Sequence, residues 1–391
     1  MSAPRVMLHV GSPKTGTTFI QQTLWGQREV AAAHGVHLPM NGFHDHFWAT
    51  LDVRGVAGKA PHPPESEGAW NRLVTDTRRH TGTVLISHEL FAIATETQAH
   101  NAVGWFGTDL EVHLVVTARD LLRQVTAEWQ EHVKHRNTLT LEEFVEREVR
   151  GAAADRSSWF WKVQDTADVV RRWSRRLPAA RVHVVTVPAH AEPGDDLWTR
   201  FARVIGLPAT AFDTTAGRAN SSLGQEQAEL LRRVNGALGE RLPFPGPYPA
   251  VAKDILAHAS LASRPGTRLG LREEDARFAA QHATRIAEEL ADLGVDVVGS
   301  LSDLVPDDAA VAAAIDPQAY REIGDAEIVE EGVAAIADLL VELSETRRRE
   351  ADLAHELREL RRAPLRTVLD AAEPNAPTAI ARSLYRRIRP S

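Results

Sequence analysis

Four short apolar runs punctuate the chain: Val6-Met7-Leu8-His9-Val10, Thr83-Val84-Leu85-Ile86-Ser87, Glu111-Val112-His113-Leu114-Val115-Val116-Thr117 and Arg181-Val182-His183-Val184-Val185-Thr186-Val187. Between them, apolar positions recur at three- and four-residue spacing. That spacing predicts helices from Thr17 to about His34, Trp70 to about His80, Leu121 to Arg136, Leu141 to about Arg150, Gln225 to Leu238, and over 272–293. Thr140 is placed to cap the 141–150 helix, with Glu143 as its capping-box partner. Val36-His37-Leu38-Pro39 predicts one further short strand, and 181–187 is the last clear one; Val295–Gly299 is only a short hydrophobic segment. Pro243, Pro245, Pro247 and Pro249 predict a rigid extended stretch. Runs that are apolar on both faces, alternating with helices, imply an α/β fold: a parallel β-sheet flanked by helices.

The pattern changes beyond Pro306, which divides the chain into an α/β domain over 1–305 and a helical C-terminal extension over 306–391. Helix formers dominate from Ile328 to Arg362. Leu339, Leu343, Leu353, Leu357 and Leu360 form a seam interrupted by Thr346 and Glu350, a short coiled coil through which the chain could self-associate. The final segment, Arg382 to Pro390, is basic and reads as a frayed tail in preference to a lipid contact.

Composition narrows the classes. The 391 residues are 43% hydrophobic and 25% charged, as expected of a globular protein, and the net charge of −8 argues against general nucleic-acid binding. No cysteine is present, which excludes disulfides and thiolate metal sites. No apolar run is long enough to span a bilayer, and the first strand begins within a few residues of Met1, so the expected location is cytoplasmic. Abundant Ala and Arg fit a high-GC bacterial gene.

The chemistry is concentrated where strands end. After the first strand comes Gly11-Ser12-Pro13-Lys14-Thr15-Gly16-Thr17-Thr18, a glycine-bounded loop opening into a helix. A helix N-terminus carries unpaired N–H groups and partial positive charge, so such a loop is suited to an anion such as phosphate. The nucleotide-hydrolase loop has lysine after its last glycine; here Thr17 follows Gly16 and Lys14 lies inside the loop. The strands at 83–87 and 111–117 lead into His88-Glu89 and Arg119-Asp120, and in a parallel sheet all three strand ends share one edge. His44-Asp45-His46, set among Met40, Phe43, Phe47 and Trp48, are candidate pocket residues, as is His132. Adjacent helical positions diverge, which disfavours a metal site at 44–46, and no metal is expected.

Pro13-Lys14-Thr15-Gly16-Thr17-Thr18 resembles the 5′-phosphosulfate loop of the sulfotransferases that use 3′-phosphoadenosine 5′-phosphosulfate (PAPS). Ala118-Arg119-Asp120 and Glu128-Trp129-Gln130-Glu131 resemble bacterial members of that family. The resemblance implies a P-loop sulfotransferase-like fold, PAPS as donor with no metal required, and a hydroxyl of a carbohydrate, lipid or other small metabolite as acceptor. It assigns Lys14 to the leaving phosphate, the 13–18 loop to the 5′-phosphosulfate, and either Glu89 or His88 to the base, Glu89 being favoured. Arg119 matches the family's arginine for the 3′-phosphate. The serine expected eight residues later is Ala127 here, with Thr126 one position early, and Arg218 beside Gly217 loosely matches a late basic loop over the same phosphate. Two other classes stay open: a P-loop kinase or nucleotide hydrolase, for which Asp120 would hold magnesium, and a non-catalytic nucleotide-binding scaffold.

Overall fold

The computed structural model describes residues 4–59, 61–190, 192, 194–215 and 222–362. Six parallel strands form one sheet: β1 (Arg5–His9), β2 (Val36–His37), β3 (Thr83–Ser87), β4 (Glu111–Ala118), β5 (Val182–Thr186) and β6 (Asp296–Val298). Their spatial order is β2-β3-β1-β4-β5-β6. β1 lies between β3 and β4, with Val6 paired to both Val84 and Val112. Val6 and Leu8 are fully buried, as an apolar run covered on both faces requires. The chain leaves β1 toward β3 and later crosses to β4, the kind of reversal beside which parallel sheets bind ligands, beyond the carboxyl ends of the strands. Met7, Leu85, Val115 and Val185 point to one face, where Ile20, Leu24, Trp198 and Phe201 pack against them.

The short apolar segment near 295 is a sixth strand, so 182–186 is not the last. Its side chains help to fix it, since the His183 and Asp296 side chains meet at 2.7 Å. The helix expected to run from Thr17 to His34 is two helices, Thr17–Gly26 and Arg28–Ala33, broken at Gln27. There the Gln27 amide donates to Asp213 O (2.8 Å) and its carbonyl accepts from Asp213 N–H (2.9 Å), a tertiary tie that periodicity cannot reveal. The proline-rich stretch also differs. Pro249 opens a wide helical segment, Pro249–Ser260, at a position where a missing N–H costs nothing. Tyr248 anchors that segment by donating from its hydroxyl to Asn235 Oδ1 (2.6 Å).

The chain divides into two compact units, one ending at Glu331 and one beginning at Gly332. Residues 308–316 belong to the first: Leu271 N–H donates to Ala314 O and Asp316 N–H to Leu271 O. One helix, Asp325–Arg362, runs across the boundary. Along it Val329, Val333, Ile336, Leu340 and Leu343 recur at heptad spacing and are each more than half exposed. Among the described residues no helix is long and apolar enough to cross a membrane.

Gly11 shows how tightly the strand edge is built. Its φ is +88°, and a Cβ there would lie 2.7 Å from Glu89 Cα. Gly35 also has positive φ (+78°), but a Cβ there would meet nothing within 4 Å. Gly11→Ala is therefore expected to cost about 1–3 kcal/mol in urea unfolding, and Gly35→Ala about 1 kcal/mol or less. Equal losses would show that the contact with Glu89 yields.

Candidate functional site

The loop after β1 presents its N–H groups because its carbonyls are tied back. Thr15 Oγ1 donates to Ser12 O (2.5 Å), the side-chain amides of Gln124 and Gln164 donate to Pro13 O (3.0 and 3.1 Å), and Arg119 donates to Lys14 O (3.4 Å). Gly16 has φ +85°, and a Cβ there would strike Leu197 Cδ2 at 2.4 Å. Lys14 itself has φ +62°, uncommon for a residue with a side chain. The first helical hydrogen bond runs from Ile20 N–H to Gly16 O, so the N–H groups of Thr17, Thr18 and Phe19 precede the ladder. Thr17 is buried and Thr18 exposed. The Thr15 hydroxyl turns into the protein, leaving its N–H as the group that can meet an anion.

Beneath the loop lies a buried chain of polar groups. Thr15 Oγ1 meets Thr117 Oγ1 at 2.6 Å, Thr117 Oγ1 meets His9 Nε2 at 3.2 Å, and His9 Nδ1 meets Ser87 Oγ at 2.8 Å. Because Thr15 donates to Ser12 O, the donor order is forced: Thr117 O–H to Thr15, His9 Nε2–H to Thr117, and Ser87 O–H to His9 Nδ1. Burial pushes the His9 imidazole down to about 3, more than the Glu89 charge can offset. It is neutral at pH 7. Gln21 continues the chain, donating to Ser87 Oγ (3.3 Å) and to Glu89 Oε2 (3.1 Å).

Glu89 stands just past β3, against Gly11, with its side chain 22% exposed. Burial raises its carboxyl, but His88, its own backbone N–H, Gln21 and His9 outweigh this and hold it below the usual carboxylate range. His88 is buried and caps the following turn, accepting Leu90 N–H at Nδ1 (3.1 Å). Phe43 stacks on it at 5.0 Å and Phe47 packs at 5.5 Å. Burial lowers the His88 imidazole despite Glu89. The carboxylate is thus charged and partly exposed, while the imidazole is neutral and half committed to the backbone.

At the end of β4, Arg119 and Arg123 lie together. Burial, then Arg123, lower the Arg119 guanidinium to about 10, against the opposing charge of Asp120. Arg119 Nε and Arg123 Nη2 are buried and without a hydrogen-bond partner. Two orphaned guanidinium nitrogens leave hydrogen-bonding capacity unused at this strand end. Asp120 is consumed locally, accepting Arg123 N–H as helix cap (2.9 Å) and pairing with Arg123 Nε. That commits the carboxylate a magnesium-holding reading would require. Ala127 shares a helix face with Arg123 and Glu131 by periodicity, and Thr126 sits about 100° round the helix from it. Arg218 lies outside the described residues.

Several site residues were not read from the sequence. On the Leu121–Lys134 helix, Gln124, Glu128 and Glu131 face the loop at four- and three-residue spacing. Glu131 pairs with Lys14 and, at 2.6 Å, with Lys253 of the 249–260 segment. Burial raises the Glu131 carboxyl, but Lys14, Lys253 and His135 outweigh it and hold it well below the ordinary range. Glu128, which accepts from Gln164 Nε2 at 2.6 Å, is pushed up to about 7 by burial, against Lys14 and Gln164. The spacing was visible in sequence, but the loop it faces was not.

The three histidines of the expected acceptor pocket separate. His46 is fully buried; Nδ1 accepts Ser87 N–H (3.2 Å) and Nε2–H donates to Pro39 O (3.1 Å), so both ring nitrogens are engaged by the backbone. Asp45 caps its helix, accepting Asn41 and Gly42 N–H. His44 is exposed, one residue from Phe43 on the His88 flank. His132 is mostly buried, edge-on to Phe144 at 5.0 Å, and burial lowers it to about 4 despite Glu131.

No protein-family model matches the sequence, and no curated protein matches it. Among solved structures the chain is similar to a sulfotransferase from Alicyclobacillus acidocaldarius, with 13% identity, 75% of this chain and 96% of that chain covered, and a TM-score of 0.37. A similarity this low assigns neither a substrate nor residue roles.

Proposed function

We propose that the protein is a sulfotransferase that moves a sulfuryl group from PAPS to a hydroxyl of a small molecule, glycan or lipid. The observation that carries this reading is the pairing of two groups of donors suited to anions. One is a loop with its carbonyls tied back and a lysine inside it. The other is the orphaned Arg119 Nε and Arg123 Nη2 one strand away. PAPS has two anionic ends, and these donors fit them: N–H groups of residues 14–18 for the 5′ end, and Arg119 with Arg123 for the 3′-phosphate. PAPS supplies the transferable sulfuryl group. Lys14 neutralises charge on the oxygen that leaves, and Glu89 takes the proton from the acceptor hydroxyl. His44, exposed on the His88 flank, is the histidine best placed to meet an acceptor.

The test is binding of 3′-phosphoadenosine 5′-phosphate (PAP) by calorimetry without magnesium. Affinity should exceed that for ATP by at least about tenfold. Arg119→Met should weaken PAP by about 10- to 100-fold, as loss of a charged hydrogen bond does, and leave adenosine 5′-phosphate little changed. Equal affinity for PAP and ATP would sink the proposal.

A further inference from the structure

One charged group near the loop has no counter-ion. Lys134 ends the Leu121–Lys134 helix and is only 4% exposed. Among the described residues its ammonium makes no hydrogen bond or ion pair. Lys14, Glu131 and Lys253 all act on it electrostatically, Glu131 from one helical turn earlier on the same helix. Glu131 already serves two partners, Lys14 and Lys253. His135 also sits there, with Nε2 3.1 Å from Lys253 Nζ, and His258 faces both Lys134 and Lys253. Burial lowers both imidazoles, so neither adds charge at neutral pH. Three ammonium groups thus crowd one ionised carboxylate, with Glu128 as the other acid beside Lys14. The stem is buried, but the ammonium nitrogen itself is not sealed off, so an unpaired charge is held at a fixed place where an anion can reach it.

The donor does not supply it. In the reading above, the two anionic ends of PAPS are held at Lys14 and at Arg119 with Arg123. Arg123 is on the first turn of the helix and Lys134 on the last, roughly 16 Å along its axis. Glu131, the partner of Lys14, lies between them and close to Lys134. Lys134 is therefore beyond Lys14, on the side away from the arginines.

We propose that Lys134 and Lys253 form an anion subsite next to Lys14, and that the acceptor is a hydroxyl compound carrying its own anionic group, a carboxylate or a phosphate or sulfate ester. This rests on the sulfotransferase reading. Lys134 gives the anion a charge held in place by its buried stem, and Lys253 can share itself between Glu131 and the ligand. The acceptor's charge then fixes its hydroxyl relative to Lys14.

The experiment uses the full chain saturated with PAP, so that the donor's own anion sites are filled. Methyl phosphate, methyl sulfate and acetate are titrated in separately by calorimetry, with methanol as the neutral control. At least one anion should bind saturably, and which one does distinguishes the ester from the carboxylate. Lys134→Met should weaken it at least tenfold without changing PAP affinity, and Lys134→Arg should retain it. Removing an unpaired charge should leave Lys134→Met as stable as the wild type or more so, and thermal melts check this. No saturable anion binding, or binding unaffected by Lys134→Met, overturns the subsite. If PAP itself fails to bind, the sulfotransferase reading falls separately; anion binding lost in Lys134→Met on the free chain would then mark an anion site without an acceptor role.

Discussion

Lys14→Ala is expected to lower sulfuryl transfer from PAPS by about 10²- to 10³-fold, the scale set by removing a charge-stabilising group from the reacting centre. PAP affinity should change by less than about tenfold, because the loop N–H groups and the arginines remain. The Lys14 backbone is in the left-handed region, its carbonyl is fixed by Arg119, and its ammonium rests on Glu131. A lysine parked on a carboxylate is a charge held ready beside the anion cradle. Substitution by alanine should leave the fold intact, since Glu131 keeps Lys253 at 2.6 Å and the backbone strain is the same for both residues. Transfer of labelled sulfate under single-turnover conditions separates the chemical step from binding. Full activity in Lys14→Ala would remove the lysine from the mechanism.

Why the sequence reveals some of this and not the rest follows from how each residue finds its partner. Residues 11–18, Glu89 and Arg119 are set by local rules: a strand ends, a glycine turns, a helix begins, and parallel topology brings the three ends to one edge. The fold class is legible for the same reason, since runs such as Val84-Leu85-Ile86 suit only a strand covered on both faces. Glu131, Lys253, Gln124 and Gln164 are different. Each acts through a contact with a residue more than a hundred positions away, or across two helices, as Gln164 does with Pro13 O at 3.1 Å. Glu131 lies in the motif that resembles the family, but nothing local marks what any of the four touches. Nor does the sequence show that the two ring nitrogens of His46 meet backbone groups of Ser87 and Pro39. The 249–260 segment was hidden by its prolines, which read as extended until Pro249 is seen at a helix start.

Glu89→Gln is expected to reduce turnover by about 10²- to 10⁴-fold, as loss of a general base does, with PAP affinity unchanged. The amide is nearly isosteric, and its carbonyl oxygen can still accept from Gln21, so the polar chain through Ser87, His9 and Thr117 stays connected. What it loses is the ability to take a proton. The pH profile identifies which group this is. The Glu89 carboxyl is held below its ordinary value, so the ionised form, and any stability linked to it, is present above the unfolded carboxylate value and lost as pH falls through the folded one. Turnover should therefore be flat through neutrality and fall only in acid, below the usual carboxylate range. A rate that instead fell through about pH 7 would point to Glu128, the carboxyl that burial raises to that value. His88→Asn separates the remaining competitor. Asparagine can still accept Leu90 N–H and cap the turn, so this variant should keep most of the activity if Glu89 is the base. Loss in His88→Asn together with survival of Glu89→Gln would transfer the role to the imidazole.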